Sequence, residues 1–448
     1  MVNASRIVTV ITLLAVLSTS GAAQEKRVLT VEEAIQVGIQ NSKVLRLSRS
    51  RVDYADAKSG EINSSRLPLL KFAGAYNRLS EVPAFAVDVP GVIPGASPNK
   101  FVLSPSVLNN YNLRLSVQQP LFTGFRLDAS AAAADYTVEA TNQEFKEDRG
   151  GLIYNIKSAY WNLFRAIEFN KVADENVETI KSHLKDVRNL LDQGMATNND
   201  ILTAELRLSD AQLKQINAKN GVRLSMVGLD YNLGIPLSTE VELASSLGHD
   251  PGSYANLDSL IGMAMEARPE LRAMEARVKA TEAGVTAAKA GWWPQLYLTG
   301  NYYSARPNQR ILPTTDTFRD TWDVGVSVTL DLWNWGTTLH QVDQAQAQVA
   351  QNREAFGQMQ DGVTLETTQS YLNLEQAKER IEVSRRGVAQ AEENYRVSNR
   401  RYNEGLVINS DMLDAAVAVA QAKVTYTQAL VDYELAKANL ERAIGSIN

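Results

Sequence analysis

The chain has 448 residues, 44% of them hydrophobic, a formal net charge of −6 and no cysteine. A mildly acidic balance argues against a nucleic-acid partner, because phosphate binding wants clustered Lys and Arg. Without cysteine there is no disulfide frame, no thiolate metal site and no lipid-bearing cysteine.

The first element in chain order is a targeting segment. Arg6 precedes the apolar run IVTVITLLAVL, and STSGAAQ follows it. A charged end, a short apolar core and small residues predict a secretory signal peptide over 1–23, cut near Ala23. About 11 apolar residues are too few to span a bilayer as a helix. No later stretch is apolar enough for a transmembrane helix. The mature chain is therefore expected in an extracytoplasmic space, or across a membrane as a barrel.

The rest of the chain is two copies of one plan, which fixes how its elements are divided. Residues 44–76 lie over 270–302 at an offset of 226, with Leu45 on Leu271, Arg51-Val52 on Arg277-Val278 and Pro68 on Pro294. Further along, SAYWNL (158–163) lies over QSYLNL (369–374) at an offset of 211, and Gly194 meets Gly405 while Asp200 meets Asp411. The 15 residues by which the offset shrinks fall between about 78 and 112, where five of the 13 prolines sit. That segment is expected to be an irregular loop. The expected order is an entry helix at 24–66, a strand pair with a long loop at 67–122, and a helical hairpin at 123–235 with its tip near 194–200. A linker at 236–258 follows. The second copy then has an entry helix at 259–291, a strand pair at 292–334, and a hairpin at 335–448 with its tip near 403–411.

In the strand regions the apolar period is two. Tyr111, Leu113, Leu115 and Val117 face one way, and Asn112, Arg114, Ser116 and Gln118 the other. In the second copy Trp322, Val324, Val326, Val328, Leu330 and Leu332 oppose Asp323, Ser327, Thr329 and Asp331. The partner strands begin at Pro68 and Pro294, where Leu70, Phe72, Gly74 and Tyr76 match Leu296, Leu298, Gly300 and Tyr302. About ten residues with one apolar face is the length and alternation of a tilted strand crossing an outer membrane. Trp292, Trp293, Trp322, Trp333 and Trp335 are placed at strand ends, where interfacial aromatics belong. A soluble sheet with one solvated face has the same alternation. Four strands cannot close a barrel, and an open sheet in lipid leaves edge N–H and C=O groups unpaired. Strands in a membrane thus require oligomers: two chains give eight strands, three give twelve.

The helical tracts are free of proline from 121 to 235 and after 313. Leu374, Ile381, Val388, Tyr395 and Tyr402 are spaced by sevens, as are Leu163, Asn170, Val177, Leu184 and Leu191. Ala166, Ala173, Ile180 and Val187 fill a second seam. Sevens sustained over four heptads predict coiled-coil packing, with an ordinary helical bundle as the alternative. From Asp128 to Asp192 such a helix would run about 95 Å.

At the two tips, DQGMATNNDILTA (192–204) and YNEGLVINSDMLDA (402–415), Gly194 and Gly405 can end a helix with positive φ. Asn198 and Asn409 are placed to cap the next helix, and Asp200 and Asp411 fall in its first turn. Asp414 lies beyond that turn and shares a face with Asp411.

Together the motifs LTVEEAIQVGIQNS, SSRLPLL, AGWWPQL, QQPLFTG and LDLWNWG, and the two tips, resemble the TolC-like outer-membrane efflux proteins. The resemblance covers nearly all of the mature chain. It implies a mostly α chain with a membrane β-barrel: four strands per protomer, twelve in a homotrimer, over long coiled-coil hairpins that form a periplasmic tunnel. The strand loops would be extracellular and the hairpin tips periplasmic. It implies no enzymatic activity, no cofactor and no metal. A periplasmic adaptor would join the channel to an inner-membrane transporter, for efflux or type I secretion. Asp411 and Asp414 resemble the acidic pair that constricts the closed entrance; in a trimer six such carboxylates would repel one another and favour cations. Tyr402 resembles the tyrosine that latches neighbouring hairpins, with Asp200 as its partner. The family's basic latch residue is not evident, and Val407 stands near its position. Gly194, Met195, Asn198, Gly405, Leu406, Val407 and Asn409 are the expected adaptor contacts, because apolar exposed tips suit docking.

Chemistry motifs are missing. His183, His249 and His340 have no metal-ligand spacing, and no phosphate loop, nucleophile elbow or zinc-protease motif occurs. Two other classes compete with a channel. One is an exported coiled-coil scaffold or adaptor with no pore; the other is a hydrolase of envelope polymers using paired carboxylates.

Overall fold

A computed structural model describes residues 27–89, 99–245, 247 and 255–447; the expected signal peptide and His249 lie outside them. In chain order the elements are β1 (Arg27–Leu29), α1 (Val31–Asn41), α2 (Lys43–Ser64), β2 (Leu69–Arg78), β3 (Phe85–Val89), β4 (Asn99–Ser104), β5 (Asn109–Thr123), α3 (Arg126–Asp192) and α4 (Asn198–Leu233). The second half holds β6 (Val241–Leu243), α5 (Leu257–Ala267), α6 (Pro269–Lys289), β7 (Gln295–Arg306), β8 (Arg319–Thr329), α7 (Thr337–Asn403) and α8 (Asn409–Ala443). The repeat survives in element lengths. Helices α3 and α7 have 67 residues each, and α4 and α8 have 36 and 35.

The same repeat fixes how the helices end. Gly194, Gly234, Gly405 and Gly445 all have φ between 67° and 74°. Each closes its helix with paired bonds: the Gly194 N–H donates to Leu191 O and the Met195 N–H to Leu190 O, and Gly405 and Leu406 repeat this on Tyr402 and Arg401. This double bond satisfies carbonyls that a helix end would leave bare, and only glycine enters the left-handed region without a Cβ penalty. Around Gly234 a Cβ would also meet Asn41 O at 2.9 Å, so two independent reasons exclude other residues there.

The chain divides into two compact units. One takes the described residues within Met1–Asn41, Asn155–Asp250 and Arg380–Asp432. Its small parallel sheet pairs β1 with β6. Tyr160, fully buried, donates its hydroxyl to Leu29 O at 2.9 Å and accepts from Ser245 N at 3.1 Å, which fastens that sheet to α3. The seam residues expected from the heptads are the core here. Val177, Ile180 and Leu184 of α3 pack with Ala204 and Ala211 of α4 and Leu413 of α8. Each fully buried Leu or Ile contributes about 1.5–3 kcal/mol, and the alanines let the backbones approach.

The other unit takes Ser42–Tyr154, Pro251–Glu379 and the described residues of Tyr433–Asn448. Its sheet is antiparallel, in the order β2-β5-β7-β8. Both prolines expected at strand starts sit just before β2 and β7, and Pro120 falls at a register shift in β5, where a missing N–H is tolerated. Alanines 140, 273 and 276 pack α3 against α6, and Leu271, Ala264 and Val363 join α6, α5 and α7. Each entry helix is two helices. Ser42 accepts from Leu45 N to start α2, and Pro269 takes the first position of α6, where its lack of an N–H costs nothing. The proline-rich insert is less irregular than its composition predicts. FAVDV and NKFVLS form the β3–β4 hairpin, because short apolar runs between prolines can pair with one another.

Candidate functional site

Two regions carry the expected functional residues, the four-stranded sheet and the hairpin tips. In the sheet, registers align one apolar row across all strands: Phe72, Leu115, Tyr302 and Trp322. Leu70 and Val117, Leu113, Leu298, Val324, Val326 and Val328 extend it, and all are exposed. Aromatic clusters bound this band. At the loop end Tyr76 and Tyr111 lie 4.9 Å apart and Tyr111 and Phe318 5.8 Å. At the helix end Phe122, Phe125 and Trp293 meet edge-on at 5.3–6.4 Å. From Tyr111 to Phe122 along a strand tilted by roughly 40° is roughly 28 Å, the height of an outer-membrane apolar band. Trp322 lies within the apolar row rather than at a strand end, because β8 begins at Arg319. The outer edges of β2 and β8 pair with no other strand among the described residues. Among those residues no helix is long and apolar enough to cross a membrane.

At the tips the structure gathers residues from four helices. His183 of α3 is buried, and its Nε2 lies 2.6 Å from Asn409 Oδ1. Asn409 Nδ2 donates to Asp200 O at 3.0 Å. The Tyr402 ring stands edge-on to His183 at 5.0 Å, and burial, then Asp200 and Asp186, push its hydroxyl pKa up. Tyr402 and Asp200 are thus brought close, but the Asp200 carboxylate serves a cap. It accepts from Thr197 N at 2.9 Å and from Thr197 Oγ1 at 2.6 Å, and Thr197 Oγ1 accepts from Asp200 N.

The expected caps are thereby corrected. Thr197, one residue before Asn198, caps α4, since its β-branched hydroxyl completes a reciprocal box with Asp200. Asn409 opens α8, but its amide is spent bridging His183 and Asp200. Being buried, it is no surface contact. Gly194, Met195, Asn198, Gly405 and Leu406 are exposed, Val407 is half-buried, and Ile408, which the sequence did not single out, adds to the apolar tip.

Asp411 and Asp414 are both exposed and lie on the face of α8 opposite Met412 and Leu413, which are buried. Asp414 is not left as a bare repelling charge. Arg207 of α4 donates Nη2 to its Oδ1 at 2.8 Å. A cation therefore does stand at the acid pair, on the first hairpin rather than near Val407. Neither Arg207 nor His183 has a local signature, because their partners are 207 and 226 residues away. Removing the Asn409 amide by Asn409→Ala strands His183 and should cost the tip about 1–2 kcal/mol. Faster amide exchange at 196–204 and 406–415, with exchange in the sheet unchanged, is the expected result; uniform protection would reject the bridge.

Comparison with known proteins places these features. A model of the outer membrane efflux protein family matches residues 34–234 and 260–446. The chain is similar to the outer membrane efflux protein BepC of Brucella suis biovar 1, at 24% identity over 316 residues, 69% of this chain and 68% of BepC. It is also similar to the probable efflux pump outer membrane protein TtgC of Pseudomonas putida, at 22% identity over 93% of this chain and 82% of TtgC. Among solved structures, the outer membrane protein VceC of Vibrio cholerae superposes with a TM-score of 0.76 at 17% identity, covering 93% of this chain and 96% of VceC. A family match that spans both copies of the repeat, strands and tips included, establishes that the chain belongs to the outer membrane efflux protein family and is an efflux channel protein of the outer membrane.

Proposed function

We propose that three copies close their sheets into a twelve-stranded barrel, and that their hairpins line a periplasmic tunnel gated at the tips. The single observation that carries this is the sheet: one exposed apolar face, an aromatic girdle at each end, and strands β2 and β8 with open outer edges. In lipid each unpaired edge group costs several kcal/mol by rough measure, so β8 of one copy must pair with β2 of the next. Exposed stripes on the helices fit the same assembly. Leu202, Leu206, Leu213 and Ile216 on α4 and Leu365, Leu372 and Val383 on α7 stay uncovered in a single chain. The duct performs no catalysis. An inner-membrane transporter drives export, and a periplasmic adaptor docks on the apolar tips at Met195, Leu406 and Val407. Native mass spectrometry of the detergent-extracted protein should return three chains; a monomer that stays soluble without detergent rejects the proposal.

Asp411 and Asp414 form the narrow point of this duct, with Tyr402 and Asp200 at the contacts that close it. Arg207 offsets part of the acid charge, so Asp411 carries most of the cation preference. In planar bilayers Asp411→Ala with Asp414→Ala should lower cation selectivity several-fold, while Arg207→Gln should raise it, by about the factor that one exposed charge supplies at low salt. Selectivity unchanged in both variants rejects the constriction.

A further inference from the structure

The face of the sheet opposite the apolar row is basic, although the chain as a whole is acidic. Three successive rows carry the charge. The first joins Lys71, Ser116, Asn301 and Asp323; the next Ala73, Arg114, Tyr303 and Thr321; the third Ala75, Asn112, Ala305 and Arg319. Arg310, from the loop between β7 and β8, leans onto the same face. Its Nη2 reaches Asp323 Oδ2 at 2.7 Å, and its guanidinium lies 4.7 Å from the Tyr303 ring centre. Against these cations the four strands offer one carboxylate on this face, Asp323, and Asp331 follows just past the end of β8. Asp320 belongs to the apolar side, where Tyr302 and Ser304 bond to it.

The arrangement is built rather than incidental. Arg114 donates Nε at 3.0 Å and Nη2 at 2.7 Å to Asn301 Oδ1, and stacks over Tyr303 from 5.5 Å. Asn301 in turn donates Nδ2 to Asp323 Oδ1 at 2.7 Å. Asp323 is thus shared between Arg310 and an amide, while Arg114 is held by a neutral group. A guanidinium fixed by an amide and a ring keeps its charge and still has donors to offer a ligand. Lys71, Arg114, Arg310 and Arg319 outnumber Asp323 on these rows, and like charges gathered on one face repel, so the excess is not explained by the stability of the sheet.

We propose that this face is a basic belt inside the barrel, and that it binds and passes anionic solutes bearing phosphate or carboxylate groups. The belt rests on the barrel proposed above, since only closure turns this face inward and brings three copies of Lys71, Arg114, Arg310 and Arg319 around one lumen. Low-dielectric walls then focus the field, so multivalent anions are concentrated there. The proposed duct then carries both an acidic tip and a basic barrel.

Single-channel recording on the full-length protein in planar bilayers tests this, with inorganic tripolyphosphate added to each side in turn. The anion should block from the side on which the strand loops emerge, and Lys71→Gln with Arg114→Gln should raise the half-blocking concentration about tenfold. Lys71→Gln alone lies outside the Arg114–Asn301–Asp323 chain, so it leaves that network intact and should still raise it about threefold. Channels that conduct normally but are blocked equally in wild type and both belt variants overturn the belt and leave the barrel standing. Failure to form any channel overturns both.

Discussion

Replacing Arg268 with alanine should destabilise the sheet-bearing unit by about 3–5 kcal/mol, the usual consequence of stranding a buried charge. Arg268 is buried where α5 gives way to α6. Its Nη2 lies 2.5 Å from Glu270 and its Nη1 2.6 Å from Glu366. Glu366 also accepts from Arg442 at 2.9 Å, and Arg442 lies 4.9 Å over the Tyr154 ring. One network thereby joins the second entry helix to α7, α8 and α3. Burial, then Glu270, already push the Glu147 carboxyl above its usual range, and Arg268 opposes that. Without Arg268 three acids face one another with only Arg442 to answer them. The deficit should therefore be largest near pH 7.5 and shrink as pH falls and Glu147, whose pKa is already raised, takes up its proton. Arg268→Lys keeps the charge but loses the fork, and should recover only part of the loss. Thermal unfolding of the detergent-extracted protein at that pH and at lower pH reads this; an alanine variant that melts with wild type at both would refute it.

That network was not legible in the sequence, and the reason separates what can be read from what cannot. Patterns with a local period were legible. Strand faces follow from alternation because successive side chains point to opposite sides, and Leu115 and Val117 do face away from Arg114 and Ser116. The seam at Val177, Ile180 and Leu184 follows from sevens in the same way. The repeat then fixed which strands correspond, and the glycine pairs that end α3 and α7. What failed to show were contacts made by single polar residues across elements distant in sequence, such as His183 with Asn409 and Arg207 with Asp414 between hairpins, and Arg268 with Glu366 between an entry helix and a hairpin. These depend on how separate helices are aligned, and a shift of one turn would give each a different neighbour. The caps were missed by one residue for a related reason. Asn198 and Thr197 are both good caps in isolation, and the reciprocal bond from Asp200 decides between them. In the proline-rich insert, proline marked the ends of β3 and β4 rather than the absence of strands.

Asp230→Asn should stabilise the protein near neutral pH, which few changes to a buried acid do. Asp230 is fully buried near the end of α4, and neither carboxylate oxygen has a normal hydrogen bond. Burial pushes its pKa from 3.8 up to about 6, with the Thr239 backbone N–H opposing only in part. A carboxylate here also faces the negative end of its own helix, so the charged form gains nothing from the dipole. Because the folded pKa exceeds the unfolded one, the native state holds more protons between about pH 4 and pH 6, and stability falls as pH rises through that window. Above it the full penalty applies, about 2 kcal/mol for a shift of this size after discounting for screening. Asparagine has the same shape and no charge to bury, so the variant should melt higher at pH 7.5 and converge with wild type near pH 4. Convergence is the discriminating result. A gain that persisted undiminished at pH 4 would come from packing or a new amide bond, and Asp230 would then not be a carboxylate held out of water at the base of the first hairpin.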